Sequence, residues 1–155
     1  MSMVSSRKRE VALDELMPLF RQTLAEGRSV CFAPRGVSML PMLRQGMDTV
    51  TISPVEGRLK KYDLPLYQRD NGKYVLHRVI RVADTYTCLG DNQFHKETGI
   101  RQDQIIGVVT EFTRGEQRIP VTDWRYRCYC VLWAWTRFPR RCWRKGMRIL
   151  KKLFA

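Results

Sequence analysis

The sequence is poor in histidine, has no long apolar run and carries almost no acid at one end. Only His77 and His95 are present, and the five cysteines (31, 88, 128, 130 and 142) include no Cys-x-x-Cys pair. Zinc sites draw on closely spaced cysteine and histidine ligands, so this set makes a poor one, and no metal or cofactor is expected. An odd number of thiols without framework spacing reads as reduced cysteines, small buried hydrophobes in an intracellular setting. No stretch approaches the roughly 20 apolar residues of a spanning helix. The longest suspect run, 128–136, is closed by Arg127 and Arg137. Residues 1–10 carry Arg7, Lys8 and Arg9 with no apolar core behind them, unlike a secretory signal. The expected location is therefore cytoplasmic, with at most a peripheral seat on the inner face of a membrane. Internal repeats and low-complexity segments are absent as well.

What is present is one domain's worth of chain. The 155 residues are 44% hydrophobic and 28% charged, the balance of a folded globular protein. The net charge of +13 is uneven. Residues 1–120 hold 18 basic and 14 acidic side chains, whereas residues 121–155 hold ten basic ones against Asp123 alone. All four tryptophans (124, 133, 135 and 143) fall in that last segment. The chain reads as a near-neutral body with a basic, aromatic tail.

Three segments are expected: a helical one over 1–28, a β domain over 29–120 and the helical tail over 121–155. In the first, Val11, Leu13, Leu16, Met17, Phe20 and Leu24 recur at helical spacing, Gly27 stops the pattern, and Pro18 kinks or shortens it. Strands are expected at 29–33, 49–53, 64–69, 73–83, 85–89 and 105–113, with Asp70-Asn71-Gly72 as a hairpin turn. Many short strands without alternating helices indicate a mainly β, folded antiparallel scaffold flanked by helices. In the tail, Thr122 or Asp123 caps a helix with Trp124, Cys128, Val131, Leu132 and Trp135 on one stripe, and Pro139 breaks it. A second helix from Arg140 would set Trp143, Met147, Leu150 and Phe154, supported by Ile149 and Leu153, against seven basic residues. A basic amphipathic helix suits an anionic membrane surface, so 124–155 is the expected membrane contact. Packing on the body is its plain alternative, and binding of nucleic acid, through phosphate contacts with tryptophan stacking, is the least favoured.

Residues able to do chemistry lie in the β segment. Ser38, between Gly36 and the Pro41-stiffened apolar run, reads as a nucleophile held at a strand end. A hydroxyl needs a base within hydrogen-bond reach, and His77 is placed on a strand where Val75, His77 and Val79 face one side. Gly90-Asp91-Asn92 follows the next strand.

Four motifs stand in a fixed order: Ser38-Met39-Leu40-Pro41, Gly46-Met47-Asp48-Thr49-Val50, His77-Arg78-Val79 and Gly90-Asp91-Asn92. In order and spacing they resemble the signal peptidase I family, in its serine–histidine branch, over roughly residues 30–112. The serine–lysine branch and the SOS-type self-cleaving repressors would place lysine where His77 stands. The resemblance implies a serine endopeptidase on a folded β scaffold, with Ser38 as nucleophile and His77 as general base. It also implies an acidic residue that orients the histidine. Glu97, seven residues past Gly90, occupies the position where the family holds aspartate. Asp91 is then the family's structural aspartate or, alternatively, the orienting group; Asp48 reads as a turn or strand-end residue.

The chain departs from the family at three places. Gly36 stands where many members carry a hydroxyl that helps bind the oxyanion, so backbone N–H groups, including that of Ser38, would serve alone. Met47 separates the usual Gly-Asp pair, and an amphipathic helix stands where a membrane anchor normally precedes the serine motif. The expected function is cleavage of a peptide precursor or leader, with small residues at the cleavage site. The alternative is a non-catalytic peptide- or membrane-binding module that keeps the fold. A self-cleaving repressor would need a DNA-binding domain and a cuttable site before Ser38, and 1–37 offers neither.

Overall fold

A computed structural model describes residues 13–143 and 147. The residues 1–12 of the expected first segment, and Leu150, Phe154, Ile149 and Leu153 of the expected last helix, lie outside the described residues. The fold is mainly antiparallel β, with helices at either end of the described chain.

Helix α1 spans Leu13–Ala25 and turns Met17, Phe20 and Leu24 into the core. Pro18 lies inside it without ending it. Its C-terminus closes as a Schellman turn: Gly27 takes a φ of 77°, its N–H donates to Leu24 O, and Arg28 N–H donates to Thr23 O.

Nine strands follow: β1 (Val30–Phe32), β2 (Val50–Ser53), β3 (Pro65–Gln68), β4 (Tyr74–Leu76), β5 (Arg78–Val82), β6 (Tyr86–Leu89), β7 (Glu97–Ile100), β8 (Ile105–Arg114) and β9 (Gln117–Pro120). The larger sheet runs β1-β2-β8-β3-β4, with β9 also paired to β8, and the smaller runs β5-β6-β7. Strand β8 is the long member, pairing β2 along one edge while β3 and then β9 take the other. The Asp70-Asn71-Gly72 turn joins β3 to β4 with Gln68 opposite Tyr74, as its sequence predicts.

The expected single strand over 73–83 is two strands in different sheets. The chain leaves the large sheet after Leu76 and enters the small one at Arg78. His77 is the residue at the crossing, not a mid-strand residue, and it is buried there. β7 and β9, both without a β-branched run, go beyond the expected strands. They form because their partners β6 and β8 offer open edges, a tertiary effect that overrides local preference.

One core cluster gathers α1, the serine loop, the large sheet and the tail: Phe20, Met39, Leu43, Ile52, Phe112 and Tyr126 are all members. A second, between the sheets, holds Tyr67, Val79, Tyr86, Cys88 and Ile100. The 1–28, 29–120 and 121–155 segments thus share packing across both of their boundaries.

Helix α2 spans Trp124–Trp135, capped by Asp123, whose carboxylate accepts from the N–H groups of Arg125 (2.7 Å) and Tyr126 (3.4 Å). Its buried side is not the expected stripe. Tyr126 and Cys130 are buried with Tyr129 and Trp133 half-buried beside them, while Trp124, Cys128, Val131, Leu132 and Trp135 face out. The inner residues win because each carries a polar tip that the body can satisfy. Tyr126 Oη and Cys130 Sγ meet Arg78, Tyr129 donates to Asp91, and the Trp133 indole donates to Asp91 O at 2.8 Å. The break after α2 falls at Thr136, three residues before Pro139. Residues 137–143 are helical, and Pro139 sits in their first turn, where a missing N–H costs little.

The cysteine expectation holds for Cys88 and Cys130, which are buried, and fails for Cys31, Cys128 and Cys142, which are exposed. All five are free thiols. No helix among the described residues is long and apolar enough to cross a membrane.

The two faces of α2 give a direct stability contrast. Tyr126→Ala should lower unfolding free energy by about 3–5 kcal/mol in urea titrations, through cavity formation and the lost Arg78 contact. Leu132→Ser on the outer face should change it by no more than about 0.5 kcal/mol.

Candidate active site

Ser38 lies in the loop after β1, not at a strand end, and opens a helical turn. Leu40 N–H donates to Val37 O at 3.3 Å and Leu43 N–H to Met39 O at 3.0 Å. The amides of Ser38 and Met39 precede the first donors of that turn, so its own bonds do not use them. Met39, Met42 and Leu43 anchor the turn in the core. Gly36 N–H is held by Gln45 Oε1 at 2.9 Å. Asp48 is fully buried and caps the next turn, accepting from Arg44 N (2.8 Å), Nε (3.0 Å) and Nη2 (2.7 Å). Burial raises its carboxyl, but Arg44 outweighs that and holds it below the usual range.

The loop at Gly90-Asp91-Asn92 is fastened to the serine loop. Asn92 N–H donates to Ser38 O at 2.8 Å, and its side-chain amide donates to Val37 O at 3.0 Å. Gly90 is where the two meet. A Cβ there would lie 2.7 Å from Ser38 O and 3.0 Å from His77 Nε2, so no larger residue fits without moving backbone.

That same distance fixes which edge of the imidazole faces Gly90, where the Ser38 carbonyl also packs. The Nε2 edge points to Gly90, while Nδ1 lies 3.0 Å from Glu97 Oε1. A carboxylate at Nδ1 holds the proton on that nitrogen and leaves Nε2 as an acceptor. Glu97 opens β7 opposite Cys88 and is fixed in turn by Tyr67 Oη (2.9 Å) and Arg69 Nε (2.8 Å), with a second Arg69 bond to Oε1. Burial pulls the Glu97 carboxyl up, but Arg69, Tyr67 and His77 together bring it below its ordinary value. Burial is the main influence on His77 and lowers its pKa; Glu97 opposes this and Arg69 assists. The ring is therefore neutral at pH 7, the state of a proton acceptor. Burial also pushes the neighbouring Cys88 thiol up to about 12, which keeps it protonated.

Ser38 and His77 both line one cavity of about 210 Å3, together with Gly36, Arg69, Tyr74 and Gln93. Ser38 Oγ makes no hydrogen bond to His77 among the described residues. Catalytic hydroxyl–imidazole contacts commonly tighten only with substrate in place.

Of the four residues singled out in the sequence, the structure brings Ser38, His77 and Glu97 to one place. Asp91 points elsewhere: its carboxylate accepts from Arg78 Nε (2.8 Å) and Nη2 (2.7 Å) and from Tyr129 Oη (3.0 Å). Glu97, not Asp91, is the carboxylate on the histidine. Tyr67 and Arg69 went unread in the sequence, although the hairpin carried the signal. Tyr67 is opposite Val75 in register, so residues 67, 69, 75 and 77 share one face. Among the described residues no grouping of histidine, cysteine and carboxylate side chains is able to hold a metal ion. No protein-family model matches the sequence, and no curated protein matches it.

The crowding at Gly90 predicts a specific injury. Gly90→Ala should cost about 1–3 kcal/mol of stability by forcing the Ser38 carbonyl and the imidazole apart. By admitting water it should also raise the His77 titration midpoint toward the ordinary histidine value. NMR of the His77 ring reads this directly.

Proposed function

We propose that this chain is a serine endopeptidase that cleaves a peptide precursor or leader, with Ser38 as nucleophile, His77 as general base and Glu97 as the group that orients the base. The observation that carries this reading is the polarity of the imidazole: Nδ1 at 3.0 Å from Glu97, and Nε2 toward Gly90, against which the Ser38 carbonyl also packs. The resemblance of the four ordered motifs to signal peptidases supports the same assignment, as does the folded antiparallel scaffold.

In this mechanism Ser38 Oγ turns about χ1 to meet Nε2, passes its proton there and attacks the scissile carbonyl. The imidazolium that forms is stabilised by Glu97, which is kept ionised by Arg69 and Tyr67. The amide of Ser38, unused by its own turn, donates to the oxyanion, with no hydroxyl at position 36 to help. Collapse of the tetrahedral intermediate breaks the C–N bond, and His77 returns its proton to the leaving amine. Water, deprotonated by the same Nε2, then hydrolyses the acyl-serine and restores the hydroxyl. The modest cavity beside Ser38 agrees with small residues at the cleavage site.

Ser38→Ala and His77→Ala should each abolish cleavage of peptide substrates and labelling by a fluorophosphonate serine probe, with folding unchanged by circular dichroism. Labelling and cleavage at wild-type levels in both variants would overturn the reading and leave a peptide-binding module that kept the scaffold.

The pH profile tests the orienting role of Glu97. Because His77 titrates below the ordinary histidine value, the acid limb of kcat/KM should lie below about pH 6.5. Glu97→Gln removes a charge that raises His77, so the limb should move to lower pH while kcat drops by about 100- to 10,000-fold. A limb that stays in place would remove Glu97 from the mechanism.

A further inference from the structure

The inner side of α2 is committed to Arg78 and Asp91, but its outer side is exposed. Trp124, Leu132, Trp135, Phe138 and Trp143 are each between 64% and 80% exposed. Trp124, Cys128, Leu132 and Trp135 recur at intervals of four, four and three residues, which sets them on one helical face, with exposed Val131 at its edge. Phe138 and Trp143, on the helical residues that follow, are exposed as well. A helix that is apolar on both sides, with one side bare, lacks a partner for that side among the described residues.

The charges around the bare face identify that partner's chemistry. Exposed Arg125, which lies over the Trp124 ring, accompanies it with exposed Arg127 and Arg141, and the sequence goes on to Arg144, Lys145, Arg148, Lys151 and Lys152. Asp123 is the sole acid of residues 121–155, and the α2 N-terminus occupies its carboxylate. Two copies of this chain meeting through so cationic a face would repel. Nucleic acid would use the arginines and stack on the tryptophans, but it gives no use to Leu132, Val131 and Phe138 between them. An anionic lipid surface uses all three components: indoles at the headgroup level, aliphatic and phenyl groups below them, and cations against the lipid charge.

We propose that the outer face of α2, with the helical residues after it, docks this protein on an anionic lipid surface. A second cavity shows what docking would bring there. It has a volume of about 450 Å3 and is lined by Leu40, Pro41, Asn92, Phe94, Trp133 and Trp143. It therefore joins the tail to the loop of Ser38, two residues from the hydroxyl. Docking holds that loop at the interface, where a membrane-borne peptide would reach it. The surface and the Ser38 site share no residue, so either assignment can fail without the other.

The test is sedimentation of the full chain with vesicles of phosphatidylcholine alone or with about 30% phosphatidylglycerol, followed also by tryptophan emission. Binding to the anionic vesicles with a blue-shifted emission is expected, at least ~10-fold weaker on phosphatidylcholine alone and weakened by raising salt from about 0.1 M to about 0.5 M. The triple variant W124S/L132S/W135S should lose ~10-fold or more in partitioning with its melting temperature unchanged. Arg125→Glu with Arg141→Glu should reduce anionic binding alone, while Ser38→Ala should bind as the wild type does. Any of four results overturns the proposal: no binding to either vesicle, equal binding by the triple variant, a salt-dependent shift of single-stranded DNA without vesicle binding, or a dimer that the triple variant dissolves without vesicle binding.

Discussion

The ion pair between Arg78 and Asp91 is the contact on which the site and the tail both depend. Each partner is almost sealed from water. Removing two such charges from solvent costs several kcal/mol per ion, and mutual attraction alone seldom recovers that. Here the cost is offset by an unusually full set of partners. Arg78 also reaches Tyr62 O (3.3 Å), Tyr126 Oη (2.8 Å), Cys130 Sγ (2.9 Å) and Met42 Sδ (3.0 Å), and it lies over the rings of Tyr126 and Tyr129. Burial works against the guanidinium charge, but Asp91 overrides it and keeps the group's pKa well above the ordinary value. What the pair achieves is uniqueness of arrangement. One guanidinium ties β5, the serine turn, the Gly90-Asp91-Asn92 loop and α2 into a single mutual geometry.

The neighbours in sequence translate that geometry into a site. Arg78 follows His77, so fixing the guanidinium fixes the backbone that carries the imidazole. Asp91 sits between Gly90, which the imidazole nearly touches, and Asn92, which holds the carbonyl of Ser38. The serine and the histidine therefore belong to different loops but are referred to one buried charge pair. A second, separate charge arrangement of Arg69, Tyr67 and Glu97 acts from the other side of the ring. The two carboxylates have divided the labour. Asp91 positions the loop, and Glu97 sets the tautomer.

Much of this was legible in the sequence because it rests on short-range chemistry. The Gly27 stop, the Asp70-Asn71-Gly72 hairpin and the Asp123 cap are local devices, and each sits where its residues place it. The β segment and the meeting of Ser38, His77 and Glu97 were legible through the order of the motifs. The parts that escaped are those decided by partners far away in the chain. Residues 73–83 look like one strand because every residue suits a strand; only the sheet crossover, at a histidine that needs a carboxylate, splits them. The face of α2 was misread for a related reason. Periodicity counts Trp124, Leu132 and Trp135 as the strongest apolar stripe, yet the core took Tyr126 and Cys130, which bring a hydroxyl and a thiol to buried Arg78, and Tyr129 and Trp133, which bring a hydroxyl and an indole to its partner Asp91. A hydrophobicity count ranks those residues lower because it does not see the charge they serve.

That exchange of faces explains why one short helix carries so much aromatic surface. The inner aromatics form a stack, Tyr126 on Tyr129 at 6.4 Å and Tyr129 on Trp133 at 5.6 Å, closed by Arg140 at 3.3 Å over the Trp133 ring. They give α2 an attachment made of oriented polar contacts rather than of apolar area. An attachment of that kind leaves the aliphatic and outer indole groups unused, and it holds them rigidly at one side of the serine loop. Had the strongest apolar stripe been buried, the tail would have been an ordinary packed helix with a basic back. With that stripe turned outward and the basic residues around it, the helix presents an apolar surface whose position is fixed by the same ion pair that fixes Ser38 and His77. The site and the outward face are thus two consequences of one buried charge, and displacing α2 would be felt at both.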